Sequence, residues 1–545
     1  MPRKPTGGIW SFATVNGGLN TRAGQILLPA NQTRKMRNVI LNLQGGVAKS
    51  RGLTEVKKLL SPIQKLMLYE NSDYTYDIMS YNYPYLTKVD PTSGATAIIK
   101  NNILNLGENP EYAQDNAGLM HITDGVNAPL RYNGFTTAAT TWPPVYTATN
   151  SAQVSSVYTQ AANPTTEPFP HDCAFSGMRM VYINSTRGRI FFSEANDTTD
   201  FQDNAGTPVP LDVPFFADYP VTTPFTAILP ITGGFILYTQ NGFGRVAGEN
   251  TPILGITDPL NFKWVNSKIG TVAPRMAVNK SNNEHFVYSR YGLFDIKLSE
   301  DFDQTRPGEL SFDIQQDLDS IGIGGMARGE LVNSPHEGIL YMLTPRYRTH
   351  MYRDKIWKFN YEVGRRAKPK TTPWSIDEEF SGTPTRFDSM VVVPPKNDIF
   401  IAIYDTIYQY TGTSYLNSSA IQSEYEFPPN DFGYNGVNKQ ASAYWIIYKS
   451  TTGATIKLDH AWDNGETGST NIDLPVQIGA PLGEAIIGTD TYSSDAGYQG
   501  KGVRFPLSGG TVGKALTIKF IHNSSTEDII LYDLGVEWKV LGTGA

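Results

Sequence analysis

The acidic group best suited to chemistry is SEANDTTDFQD (Ser193–Asp203), which holds Glu194, Asp197 and Asp200. Two carboxylates facing one sugar ring can share acid and base or nucleophile roles, so this group is a candidate for glycoside chemistry. The same residues suit a solvated turn after the apolar RIFF, with Asn and Asp side chains bonding nearby backbone, and this is the reading the sequence favours. The S-x-D-x-G-x-T-W box of sialidases does not occur. His171 and Cys173 stand two positions apart, and a Cys–His pair can form a nucleophile. Residues at i and i+2 of a strand also point the same way with no function attached. The seven histidines (121, 171, 285, 336, 350, 460 and 522) form no H-E-x-x-H or H-x-H pattern, and no G-x-S-x-G elbow occurs. GGLNTRAG and IGIGG (321–325) lack the P-loop lysine and read as turns. No catalytic residue, metal site or cofactor is expected, and no enzymatic activity.

Basic residues offer a different chemistry. Arg346, Arg348, Arg353, Arg365 and Arg366 alternate with Tyr347, Tyr352, Trp357 and Tyr361. Arg34, Lys35 and Arg37 form a second group near the N-terminus. Cations interleaved with aromatic rings can follow a nucleic-acid backbone or meet an acidic protein. The first group also fits a two-stranded hairpin with a solvated outer face. These eight residues are the candidate contacts for DNA or a partner. Lys+Arg of 45 against Asp+Glu of 52 gives a net charge of −7, which argues against a protein that grips nucleic acid mainly through phosphates. It does not argue against a conduit past which DNA slides. The single cysteine excludes an internal disulfide. The start MPRKPTGGIWSF lacks the apolar stretch of a secretion signal, and no apolar run reaches membrane-spanning length, so a soluble chain made in a cytoplasm is expected.

The elements that must position these groups are strands. Fifty glycines, 35 prolines and abundant Tyr and Phe favour short strands and turns. One unit recurs: an apolar strand, a tight Asn/Asp/Gly turn and a second strand. It occurs at 74–90, 118–134, 178–194, 233–248, 284–298, 338–360 and 397–412. Such a hairpin cannot bury its own apolar face and must stack on its neighbours; radial stacking gives a β-propeller. An all-β chain is therefore expected: an N-terminal arm over 1–60, a propeller of six or seven blades over 61–425, and a β-sandwich-like domain over 426–545. Residues 135–172, rich in Thr, Ser, Ala and Pro, read as an insertion within the propeller, and the Pro-rich 204–225 separates two repeats. KALTIKFIH (514–522) alternates apolar and polar residues as a half-buried strand does.

Several patches resemble one family. They are Gly17-Gly18-Leu19-Asn20-Thr21, Leu28-Pro29, Asn38-Val39, Gly45-Gly46 and Arg51-Gly52, then Arg179–Phe201, then Ile269-Gly270-Thr271 with Tyr291-Gly292-Leu293, and finally Gly502–Phe520 and Tyr532–Trp538. In these the chain resembles tail hub or nozzle proteins of short-tailed bacteriophages, including those called packaged-DNA stabilisation proteins. The resemblance implies a structural virion protein with no fixed catalytic residues. Copies would form a ring, a homohexamer, that extends the portal channel, retains packaged DNA and lets it pass at ejection. Its partners would be portal or adaptor proteins, tail fibre or spike proteins, and double-stranded DNA contacted without sequence specificity. Its place would be the virion tail, and the host cytoplasm during assembly. The competing expectation is a propeller that binds or cleaves glycans, such as a receptor-binding protein or depolymerase.

Overall fold

The structure, a computed structural model, describes residues 7–12, 17–23, 28–29, 31–42, 46–101, 103, 110–135, 137–139, 169–176, 179–183, 189–193, 198, 210–212, 225–247, 261–266, 268–298, 305–366, 372–378, 385–412, 419–434, 436–476, 503–507 and 512–541. The acidic group Glu194, Asp197 and Asp200 and most of the 135–172 and 204–225 stretches lie outside these residues.

Each recurring hairpin becomes the second and third strands of a four-stranded antiparallel sheet, and there are seven such sheets. Their first strands are Lys65–Glu70, Glu111–Gln114, Asp172–Ser176, Phe225–Ile231, Ala277–Ser281, Glu330–Ser334 and Ser389–Val393, for blades 1 to 7 in order. Each first strand touches the first strand of the next blade, and Ser389–Val393 touches Lys65–Glu70, so the ring closes. The fold is a seven-bladed β-propeller. Blade 7 takes its outer strand from the N-terminal segment: Leu53–Lys58 pairs antiparallel with Thr406–Tyr410, with Leu53 opposite Tyr410. That pairing ties the start of the ring to its end.

Blades pack on both faces, so their middle strands are apolar throughout rather than alternating. Gly234–Thr239 and Ile339–Thr344 are buried at every position. The C-terminal strands behave differently. In Leu516–Ser524 the residues Leu516, Ile518, Phe520 and His522 are buried and their neighbours are less so, as expected where one face meets a core and the other meets water. These strands form a sandwich of two sheets. One runs in the order Val503–Pro506, Lys439–Lys449, Ile530–Val540, Val47–Lys49, Val39–Leu41, with Gly7–Ser11 also on Ile530–Val540. The other runs Thr467–Leu474, Ala454–Trp462, Leu516–Ser524, Ile421–Glu426, Met36–Arg37.

The N-terminal segment thus supplies strands to both sandwich sheets and to blade 7. The apolar core is continuous across the seam: Trp357, Phe359, Trp374 and Ile376 of blade 6 belong to the same packed cluster as Met36, Val39, Tyr425 and Phe427 on the sandwich side. IGIGG (321–325), read above as a turn, falls in the helix Gln315–Met326 between blades 5 and 6; Gly322, at φ 68° and ψ 165°, kinks it. Among the described residues no helix is long and apolar enough to cross a membrane.

Candidate functional sites at the axis and the seam

All seven first strands start from the same face of the ring, and four begin with an ionisable residue: Lys65, Glu111, Asp172 and Glu330. There the side chains meet. Lys65 Nζ lies 3.0 Å from Glu330 of blade 6 and 3.4 Å from Glu111 of blade 2. Arg275, on the single turn that leads into blade 5, reaches across to blades 1 and 2: its Nε is 3.4 Å from Glu111 Oε1, and its Nη1 donates to the Gln64 carbonyl at 3.0 Å. Arg353 sits 3.7 Å from Glu330 and donates through Nε to the Arg328 carbonyl at 2.5 Å. Ser389 Oγ of blade 7 donates to Glu330 at 3.0 Å and accepts the Leu66 amide at 3.0 Å. Three cations and two carboxylates thus bridge the propeller axis. Burial pushes the Glu330 carboxyl up, but Lys65, Arg353 and Arg275 together outweigh it and hold it below its ordinary value. Burial lowers Arg353 to about 10, and burial with Glu111 nearby raises Asp172. Together these side chains form a clasp across the axis, and removing one member would leave its partner's charge buried and unpaired.

The second concentration of charge is the seam between blade 6 and the sandwich. Arg34, Lys35, Arg37, Asp317, Lys355 and Glu378 line a cleft of about 270 Å³ there. Of the other basic group only Arg346 comes near it, through Glu378, and acids are interleaved with these cations. Lys35 pairs with Glu426 at 3.2 Å, Arg37 with Glu424 at 3.0 Å, and Arg346 with Asp354 and Glu378, both at 3.6 Å. Lys355 pairs with Glu378 at 3.4 Å. Arg365 pairs with Glu362 at 2.6 Å on the helix Tyr361–Arg366, which Arg366 ends. Arg353 is buried at the axis, far from a solvated outer face. Arg34 and Arg348 are exposed.

Of the patches that resemble the family, the N-terminal ones help build this seam. Gly18 has φ +74°, and a Cβ there would stand 2.6 Å from the Trp374 nitrogen. Asn20 donates to Gln32 at 2.7 Å and to Asp313 at 3.2 Å, while its Oδ1 accepts the Arg22 and Ala23 amides. Asn38, fully buried at φ +53°, donates to the Gln422 carbonyl at 2.8 Å and accepts the Glu378 amide at 2.9 Å. It joins blade 6 to the sandwich. Gly52 exchanges backbone bonds with Gly412 and Thr411, entering blade 7. In the later patch, a Cβ on Gly270 would fall 2.0 Å from the Thr239 carbonyl oxygen, so only glycine lets blades 4 and 5 approach this closely.

Under the seam lies a cluster with no local sequence signal. Lys358 Nζ donates to Asp377 Oδ1 at 2.5 Å and to Ser50 Oγ at 2.8 Å. Ser50 Oγ donates to Asp377 Oδ2 at 2.7 Å, and the Tyr410 hydroxyl donates to the same oxygen. Ser and Lys at this distance are the atoms of a nucleophile pair. Here Asp377 accepts hydrogen bonds from both, and all four side chains are buried. The group ties the N-terminal segment to blades 6 and 7. His171 and Cys173 do not pair either: His171 Nε2 lies 3.3 Å from the Thr226 carbonyl, and the Cys173 thiol points at the His121 carbonyl at 3.7 Å. Burial pushes the thiol well above its ordinary value and His171 down to about 4. Among the described residues no group of His, Cys, Asp and Glu is placed to hold a metal ion.

No protein-family model and no curated protein matches the chain. Among solved structures it is similar to the extracellular domain of a one component system from B. thetaiotaomicron, at TM-score 0.41 and 10% identity over 82% of this chain and 59% of that one. The chain therefore spans about three fifths of that neighbour's length. It is also similar to YCF48 from Cyanidioschyzon merolae, at TM-score 0.37 and 8% identity over 66% of this chain and 98% of that one. The C-terminal WD40 domain of Sif2 gives 0.36 and 9%, over 67% and 99%. The strand pairing of this chain carries the propeller assignment without them.

Proposed function

We propose that this protein is a structural subunit of a bacteriophage tail, a hub or nozzle ring that extends the portal channel, retains packaged DNA and passes it at ejection. The observation that carries the reading is the N-terminal segment. The residues that resemble the tail-hub family, from Gly18 to Gly52, contribute strands and contacts to the sandwich sheets, to the blade 6 seam and to the closing blade 7. A subunit so joined transmits load between neighbours without hinging, which a pressurised channel requires. A wedge of this kind repeats around an axis through heterologous contacts that close into a ring. The net charge of −7 suits a lumen past which DNA moves without sticking.

Mass photometry of the purified chain, alone and mixed with portal and adaptor rings of a short-tailed phage, tests this. Incorporation of about six copies into one complex is the expected result. A chain that stays monomeric beside those rings sinks the tail reading and turns attention to glycan binding and hydrolysis.

A further inference from the structure

On the face of the propeller opposite the axial clasp, a cleft of about 690 Å³ opens between blades 1 and 2. That volume is in the range of small-ligand sites. Its floor is Tyr69, whose hydroxyl donates to the Gly118 carbonyl at 3.0 Å and whose ring lies 4.9 Å from that of Tyr132. Its two walls are tied together: the Glu70 amide donates to Gln114 Oε1 at 2.9 Å, and Gln114 Nε2 returns a bond to the Glu70 carbonyl at 2.7 Å. The cleft is therefore preformed. At its rim stand two aromatic side chains in solvent, Tyr74 at 79% exposure and Phe135 at 89%. Tyr74 is held at φ +63° by a turn in which its amide bonds the Asn71 carbonyl at 2.9 Å. Left-handed backbone is rare for a bulky residue and gathers at binding sites.

Two aromatic faces above a floor and walls of hydroxyl, amide and carboxylate groups fit one ligand chemistry well. A sugar ring offers an apolar C–H face to an aromatic ring and equatorial hydroxyls to planar polar groups. Charge narrows the class. Glu70 and Asp115 line the cleft, while Lys88, its lining cation, is held by Asp77 at 3.0 Å. An acidic cleft rejects uronates and phosphates. Asp115 Oδ1 accepts the Ala117 and Leu119 amides at 2.9 and 2.8 Å, and its Oδ2 accepts the Thr198 hydroxyl at 2.5 Å. So engaged, it is not poised for proton transfer, and the site suits binding rather than cleavage. We propose that this cleft binds a neutral oligosaccharide, stacked between Tyr74 and Phe135. The inference rests on the cleft alone and not on the tail reading.

Saturation-transfer difference NMR on the full chain tests it, with maltohexaose, cellohexaose, laminarihexaose and chitohexaose as probes at about 1 mM, and hexagalacturonate as the acidic control. At least one neutral probe should receive saturation, and hexagalacturonate should not. Tyr74→Ala and Phe135→Ala should each weaken binding about tenfold, the scale of one lost aromatic contact, with unchanged thermal unfolding because both rings lie in solvent. Silence from all four neutral probes overturns the proposal. So does binding that persists in the double variant, or an acidic probe that binds as well as the neutral ones. None of these outcomes bears on association with portal rings.

Discussion

Asp377→Asn removes the negative charge from the cluster that holds Lys358. The side chain of Lys358 is 1% exposed and that of Asp377 is 0% exposed, so solvent cannot replace the lost partner. Breaking a buried ion pair by removing one member costs about 3–5 kcal/mol. The structure also sets a ceiling. Burial lowers the lysine pKa, and the ammonium can escape its predicament by losing its proton. At pH 7 that release costs about 4.6 kcal/mol, or 1.36 for each unit below 10.4. The loss of stability should therefore fall at about 3–4.6 kcal/mol at pH 7, and it cannot exceed the deprotonation cost by much. The ceiling drops as pH rises, to about 2 kcal/mol at pH 9, so the deficit of the variant should shrink with alkalinity. Urea unfolding followed by fluorescence reads this locally, because Trp357 and Trp374 flank the cluster in sequence and are buried. A deficit below about 1 kcal/mol at pH 7, or one that does not change at pH 9, would refute the argument that an unpaired lysine is the cause. Lys358→Met with Asp377→Leu should recover part of the loss, since an apolar pair leaves no charge stranded.

Gly18→Ala should destabilise by about 2–5 kcal/mol, combining left-handed strain with a Cβ forced against backbone; that Cβ would lie 2.6 Å from the Trp374 nitrogen, whereas one on Gly8 would meet nothing within 4 Å, so Gly8→Ala is the matched control in the same denaturation assay. Stability should fall on mild acidification, because burial holds His121 at about 3 and His171, His285 and His522 at about 4, all below the ordinary 6.5. The unfolded chain takes up protons below pH 6.5 that the folded chain refuses, so each histidine withdraws about 1.4 kcal/mol between pH 7.5 and 5.5. Asp172, raised by burial, works in the opposite sense as pH falls through its own range. His121→Gln should flatten the melting-temperature slope over that interval by about one quarter if the four contribute equally; identical slopes would remove histidine burial as the cause.

The propeller was legible in its middle strands and illegible elsewhere, for a physical reason. Strands packed on both faces, such as Gly234–Thr239, read as uninterrupted apolar runs bounded by glycine turns. Innermost strands such as Glu111–Gln114 (EYAQ) are short and open with the charges that meet at the axis, so they look like loops. Outer strands such as Pro210–Asp212 span three residues and carry no pattern. The closure of blade 7 by Leu53–Lys58 depends on a partner about 350 positions away, which no local period encodes. Site residues divide the same way. The clustering of Arg34, Lys35 and Arg37 is plain in the chain, but their neutralisation by Glu424 and Glu426 is a matter of sheet pairing between Met36–Arg37 and Ile421–Glu426. Ser50, Lys358, Asp377 and Tyr410 come from four separate strands or connections, and only the fold assembles them.

The axial clasp constrains how a propeller like this can serve a DNA channel. Arg275 extends from blade 5 to Glu111 and Gln64 on blades 2 and 1, and Lys65 extends from blade 1 to Glu330 on blade 6. A duplex threaded through this axis would have to part those pairs and strand each charge in a buried setting, at a cost of several kcal/mol apiece. The bonds that would be broken also join blades 1, 2, 5, 6 and 7, so passage along the axis would loosen the ring itself. A propeller built to transmit DNA would carry its charges as a solvated lining rather than as a bridge across the opening. The conduit that the tail reading requires is thus a lumen between several copies, with each propeller acting as a solid wedge in its wall. On that arrangement the residues that meet DNA lie on a wedge surface, where Arg34 and Arg348 are exposed, and Arg353 serves the stiffness of the wedge instead.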